Sequence, residues 1–263
     1  ITFSDIEHVI GGAGDDTLIG DASNNVLIGA TGNDELDGGI GNDTLRGGDG
    51  NDDLTGGAGD DLLEGGADAD TFFIQDGFGN DTITGGDTFT TGANYDTLDL
   101  TALSNPVSVL FDGPGSGTIT DSITGDTITF SGIEQLILTD GNDTVDATLD
   151  DGYTYVQTLD GDDSVLGSAG DDVYDDEIFG PNGQGNDTFV GADGNDEIWA
   201  GTDDDSVTGG LGSDSLFGQS GNDTIDGGAD ADTLQGGIGH DSVSGGDGAD
   251  LIEEYVPGGT TVN

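Results

Sequence analysis

A large apolar residue recurs every nine positions between Gly11 and Phe73, as Leu18, Leu27, Leu36, Leu45, Leu54, Leu63 and Phe72. Each stands at place eight of a unit in which glycine favours places one, two and four and an acid takes place six, as in GGAGDDTLI, GGIGNDTLR and GGDGNDDLT. Seven such units follow one another in unbroken phase. A period of nine puts no continuous apolar stripe on a helix of about 3.6 residues per turn, and each glycine in a helix interior costs about 1 kcal/mol relative to alanine. The pattern therefore predicts turn-and-strand units. The first six residues bend through backbone angles that Gly, and less readily Asp or Asn, tolerates. The last three form a short strand whose middle side chain points inward. Two units make one coil of 18 residues.

After Phe73 the frame slips by Ile74 and Gln75, and one further unit, Asp76 to Thr84, keeps Asp81 and Ile83 at places six and eight. The first roll thus spans 11–86. Alternating VSVLF, TIT, TITF and QLIL runs up to Leu138 predict short antiparallel strands, a cap and spacer over 87–139. LTDGNDTVD restarts the signature and stops, so 140–157 reads as a partial repeat and loop. A second roll over 158–253 holds ten units, interrupted at Asp176 to Pro181, with Val165, Tyr174, Phe189, Ile198, Val207, Leu216, Ile225, Leu234, Val243 and Ile252 at place eight. Residues 254–263 form a C-terminal extension. ITFSDIEHVI at 1–10 recurs almost letter for letter as ITFSGIEQLI at 128–137. Residues 1–10 are therefore expected to be the tail of an upstream β cap module, and the chain, which starts mid-pattern, a piece of a longer one.

These units resemble the G-G-x-G-x-D-x-U-x nonapeptides of the RTX (repeats-in-toxin), or haemolysin-type, calcium-binding proteins. The likeness covers well over half of the chain. It implies an all-β fold, a right-handed parallel β-roll (solenoid) in two blocks separated by a small β-strand cap or spacer. In that family the place-six aspartates and turn carbonyls of stacked turns hold Ca²⁺ between coils, in two rows flanking a thin apolar core. Carried onto this chain, the metal-binding residues are Asp16, Asp34, Asp43, Asp52, Asp61, Asp70 and Asp81, then Asp143, Asp163, Asp172, Asp187, Asp196, Asp205, Asp214, Asp223, Asp232, Asp241 and Asp250. Partners come from units two apart, such as Asp34 with Asp52 or Asp205 with Asp223, which leaves the end sites half built. YDTLDLTAL at 95–103 resembles the D-x-L-D-L segments that close β-rolls in RTX exoproteins.

Charge strengthens the cation reading. Fifty-six acids stand against one base, Arg46, a formal charge of -55, and only 31% of the chain is hydrophobic. Such a chain self-repels unless something cationic neutralises it. Nucleic acid and anionic membrane surfaces are repelled, and no apolar run is long enough for a spanning helix. Calcium suits the turns because a hard cation takes six to eight oxygens at about 2.3 to 2.6 Å, and glycine leaves carbonyls uncovered beside each aspartate. An acidic disordered tract would not hold its apolar place in phase, and an EF-hand needs flanking helices that this composition does not supply. Cysteine is absent, so neither disulfides nor thiol chemistry operate. The two histidines, His8 and His240, belong to no catalytic motif, and paired carboxylates are too common here to signal a glycosidase.

The expected function is a calcium-binding β-roll segment of a secreted bacterial protein. It folds on roughly a dozen calcium ions outside the cell and has a structural, non-enzymatic role in a surface layer, adhesin or extracellular filament. The alternative is a secretion and folding module of a type I-secreted protease, lipase or alginate epimerase. Two local expectations follow from the coil length. Asn25 replaces the acid at place six, so the site it shares with Asp43 is weak. Trp199 stands above Phe217, and Arg46 above Glu64, at outward place nine, the aromatics as surface packing or as a contact for a neighbouring module or second copy.

Overall fold

The computed structural model describes residues 7–86, 95–150, 155–175, 183–253 and 261–262. The start of the proposed upstream tail, the interruption at 176–181 and most of the C-terminal extension lie outside the described residues. Among the described residues every regular element is a strand and no helix is long and apolar enough to cross a membrane. Two compact units form, one from Ile1–Asn105 with Gly115–Ile137 and one from Pro106–Pro114 with Leu138–Asn263.

In the first unit, consecutive nonapeptides alternate between two sheets, so hydrogen-bonded neighbours come from units two apart. One sheet carries Val26–Thr31, Thr44–Asp49, Leu62–Ala67 and Asn80–Gly86, and the other Glu35–Ile40, Asp53–Ala58 and Thr71–Gln75. All these pairings are parallel and in register at the apolar place, with Leu27 opposite Leu45, Leu45 opposite Leu63, and Leu36 opposite Leu54. The second unit repeats the plan: Phe189, Val207, Ile225 and Val243 form one column, and Tyr174, Ile198, Leu216 and Leu234 the other. Both columns are buried. The architecture is the parallel β-roll, and its core is a double file of place-eight side chains, each contributing about 1.5–3 kcal/mol by leaving water.

Two features depart from the sequence reading. Several strands in the first unit run for six residues where three were expected: Val26–Thr31, for one, continues past place nine into places one to three of the next repeat. Those extra residues pair with the coil above, Ala30 opposite Gly48 and Thr31 opposite Asp49. The turn is correspondingly tight, and its backbone is left-handed at places two and four. Gly41 has φ 131°, and a Cβ there would lie 2.9 Å from the Ser23 carbonyl of the preceding coil. The described non-glycine residues that share this conformation, Ala30, Asp68, Leu159, Ala192, Asp203, Gln219 and Asp230, all hold one of those two places.

The other departure concerns the strands expected to form an antiparallel cap. Ser116–Asp121 and Thr127–Ser131 are antiparallel, but Thr127–Ser131 also pairs parallel with Asn80–Gly86. Thr97–Ala102 lies parallel between Thr71–Gln75 and Gln135–Ile137, and in the second unit Val107–Gly113 runs parallel to Thr144–Asp146. Alternation of apolar and polar residues specifies a strand and its inward face, not its neighbour. Here Leu98, Leu136 and Phe130 fall into line with Phe72 and Ile83, so the strands extend the coils. The described end of the first tail does likewise, since His8–Ala13 pairs parallel with Val26–Thr31 and puts Val9 opposite Leu27.

Leu45 is 0% exposed in the middle of its column, whereas Ile40, five residues away, is 61% exposed. Leu45→Ala should cost about 2–5 kcal/mol in denaturant unfolding with calcium present, and Ile40→Ala no more than about 0.5 kcal/mol. Equal losses would show that the place-eight file is not the core.

Candidate metal centres

Each place-six aspartate is drawn inward because its neighbour two places on, the core residue, fixes the pleat. The main-chain N–H of Asp34 donates to Oδ1 of Asp52 at 2.7 Å, that of Asp52 to Asp70 at 2.9 Å, and that of Asp43 to Asp61 at 2.7 Å. In the second unit the same bond links Asp187 to Asp205, Asp205 to Asp223, Asp196 to Asp214 and Asp214 to Asp232, at 2.8 to 3.0 Å. The expected pairing of units two apart is therefore a direct bond, N–H of one coil to carboxylate of the next. These side chains are at most 3% exposed. Their other oxygen, Oδ2, has no donor at Asp34, Asp43, Asp52, Asp61, Asp70, Asp163, Asp187, Asp196, Asp205, Asp214, Asp223 and Asp232.

A buried carboxylate oxygen without a donor is costly unless a cation meets it. The place-one glycine leaves the room in which that oxygen lies. A Cβ on Gly47 would collide with Asp52 Oδ2 and lie 2.7 Å from the Gly65 carbonyl oxygen, and one on Gly209 would meet Asp214 Oδ2 and lie 2.6 Å from the Gly227 carbonyl oxygen. At such glycines carboxylate and carbonyl oxygens thus converge on one niche, oxygen donors of the kind hard Ca²⁺ takes. Among the described residues no three acidic, thiol or imidazole side chains gather as a metal cluster.

The RTX calcium-binding nonapeptide repeat family matches this chain over residues 1–36, 10–45, 37–72, 73–98, 155–180, 182–216 and 217–252, about three quarters of its length. The chain belongs to that family. No curated protein sequence matches it. Among solved structures, the extracellular lipase LipA from Serratia marcescens is similar over 90% of this chain and 37% of its own, with 17% identity and a TM-score of 0.35. The chain spans little more than a third of that lipase, and a likeness this loose carries no argument about function.

The remaining RTX positions are less uniform. Asp16 and Asp250, at the ends of their rows, are only half-buried. Asp241 accepts the Asp223 N–H at 3.2 Å, and Asp81 accepts that of Asp61 at 2.9 Å. Asp143 and Asp172 lie in the same rows but have their own hydrogen-bond donors, Thr139 and Ser168. Asn25 keeps its place too, donating its N–H to Asp43 Oδ1 at 2.6 Å while its Oδ1 accepts the Asp21 N–H at 2.8 Å.

Two sets of residues escaped the sequence reading. Asp96 accepts the Asp70 N–H at 2.9 Å and Glu134 Oε2 accepts the Asp96 N–H at 2.9 Å, so the row from Asp16 runs on beyond the repeats. Asp96 Oδ2 and the Gly132 carbonyl crowd the niche at Gly85 just as their counterparts do at Gly47. The signal was present: D-T-L at 96–98 and E-Q-L at 134–136 both keep an acid two places before the core residue. The second set is place five, where the bonds run the other way. The N–H of Asn33 reaches back to Asp15, that of Asn51 to Asn33, and that of His240 to Asn222. The recurring Asn-Asp dipeptide is therefore a two-way clamp, one side chain to each neighbouring coil.

At nine of the place-six aspartates burial pushes the carboxyl far upward, more than the N–H bond from the preceding coil pulls it down, and neighbouring acids add to the rise. Asp163 and Asp205 reach about 9, and Asp70 and Asp81 about 8. Asp187, Asp196 and Asp223 reach about 7, and Asp52 and Asp61 about 6. Without metal, the folded chain therefore binds more protons than the unfolded chain, whose carboxyls titrate near 4. Stability of the metal-free fold is greatest below that value and falls as pH rises through about 6 to 9. In chelator, the β-sheet circular dichroism signal should grow as pH is lowered from about 8 to about 5. A signal that instead weakens over that interval would contradict the burial of these rows.

Proposed function

We propose that this RTX chain is a calcium-dependent β-roll of a secreted bacterial protein, kept unfolded by low cytosolic calcium and folded by the ion outside the cell. Its role there is structural, as part of a surface layer, adhesin or extracellular filament. The observation that carries this reading is the file of buried Oδ2 oxygens with no donor, several of them, as at Asp43, Asp52, Asp70, Asp196 and Asp214, beside a main-chain carbonyl at a place-one glycine. The charge of -55 points the same way, since nothing within the chain neutralises it. Twelve such oxygens are among the described residues, and at a free calcium concentration ten times Kd each ion contributes about 1.4 kcal/mol. A dozen independent ions supply roughly 17 kcal/mol, comparable with the stability of a whole domain. An exoenzyme's accessory module would fold by the same ion, and no feature of these residues favours that role over the structural one.

Trp199 gives a built-in readout, because it is half-buried and stacks on Phe217 of the next coil with ring centroids 5.6 Å apart. Millimolar calcium should bring cooperative gains in β-sheet circular dichroism and in the Trp199 emission change, and equal magnesium should not. Asp52→Asn and Asp205→Asn should each raise the calcium midpoint. The same β content in chelator and in calcium at neutral pH would end the proposal.

A further inference from the structure

The turns fall into two conformations, and the residue at place two separates them. That residue is left-handed in most turns, whether glycine, as Gly39 (φ 95°) and Gly210 (φ 126°), or not, as Ala30 (φ 91°) and Gln219 (φ 68°). Asp21, Thr139 and Ser168 hold the same place without the left-handed backbone. In these three turns the place-two N–H donates to the place-six side chain of its own turn: Asp21 to Asn25 Oδ1 at 2.8 Å, Thr139 to Asp143 Oδ2 at 2.9 Å and Ser168 to Asp172 Oδ2 at 2.8 Å.

Two of the three turns add a hydroxyl. Thr139 Oγ1 donates toward the Asp143 carboxylate, 3.0 Å from each oxygen, and Ser168 Oγ donates to Asp172 Oδ1 at 3.1 Å. Each hydroxyl is held by accepting a place-four N–H, from Gly141 at 3.1 Å and from Gly170 at 2.9 Å. In the left-handed turns of Asp34, Asp43, Asp196, Asp214 and Asp223, by contrast, Oδ2 is buried without a donor. The one amide at place six, Asn25, lies in a turn of the closed kind.

We propose that the place-two residue decides which turns take a cation. A left-handed place two leaves the carboxylate oxygen open to calcium. Asp21, Thr139 and Ser168 aim an N–H at that oxygen, so a cation there would meet a positive hydrogen and an oxygen already in use. The turns of Asn25, Asp143 and Asp172 are then built without calcium, and Asp143 and Asp172 are structural acceptors. All three turns lie early in their units, one in the first and two, in different rows, in the second. The inference rests on the reading that open turns bind calcium, and it gives the weak site at Asn25 a second cause beside the missing acid: restoring the carboxylate alone does not restore a site.

Counting bound calcium by native mass spectrometry on the full chain tests this. Asp143→Asn and Asp172→Asn should keep the parent's ion count, whereas Asp52→Asn and Asp196→Asn should lower it. Because removal of an acceptor can weaken the fold, a second pair adds one instead. Asn25→Asp alone should leave the count unchanged, and Asn25→Asp combined with Asp21→Gly should raise it by one ion. A loss at Asp172→Asn equal to that at Asp196→Asn, a gain at Asn25→Asp alone, or no gain in the double variant would overturn the proposal. Unchanged counts in Asp52→Asn and Asp196→Asn would instead overturn the calcium reading of the open turns.

Discussion

One bond organises each unit, the main-chain N–H of a place-six residue donating to the carboxylate of the place-six aspartate one coil on, as from Asp34 to Asp52 and from Asp205 to Asp223. It ties neighbouring coils together and at the same time lines up buried negative charge. Two unit charges one strand spacing apart, about 4.8 Å, repel by roughly 3 kcal/mol at an effective dielectric near 20. One hydrogen bond to a charged acceptor returns about 1.5–3 kcal/mol. The rows are therefore near balance before the burial of the second oxygen is counted, and that burial tips them against a metal-free fold at neutral pH. The fold's weakest feature and its means of binding a cation are the same oxygen.

The rest of the turn follows from leaving that oxygen without a donor. Glycine at place one makes room beside Oδ2, and the left-handed places two and four let each coil's backbone approach the carbonyls of the coil before. Place five supplies a second clamp of opposite direction, as from Asn51 back to Asn33, so a coil is gripped from both sides without using its core residues. The core can then be thin. Leu, Val, Ile, Phe and one Tyr stack in register, and place nine adds lateral pairs such as Trp199 on Phe217 and Arg46 with Glu64 at 2.7 Å. The exposed ion pair contributes no more than about 1 kcal/mol. The coils stand on the apolar file and the backbone, and the surface pairs only trim them.

Where the repeat signature lapses, the same physics persists with different residues. Before Thr97–Ala102 and Gln135–Ile137 the nonapeptide frame keeps a single turn glycine each, Gly92 and Gly132, yet Leu98 and Leu136 continue the core and Asp96 and Glu134 continue the carboxylate row. Glutamate reaches the same N–H with one more methylene. A strand needs only an inward apolar residue and an acceptor two places before it to join the stack.

Much of this was legible in the chain itself. A nine-residue apolar period excludes helix, the invariant spacing from acid to core residue places Asp34 or Asp205 beside the turn, and an 18-residue coil pairs Trp199 with Phe217 and Arg46 with Glu64, because each depends only on local geometry repeated in phase. Tertiary structure alone decided the rest. Strand partners at 95–138 depended on which apolar file each strand could join, and alternation is blind to that. The length of the strands depended on places one to three finding partners in the next coil. Whether a place-six side chain faces open space or its own turn's N–H depended on the backbone at Asp21, Thr139 and Ser168, where the repeat pattern shows only a substituted glycine and the folded turn shows a peptide turned the other way.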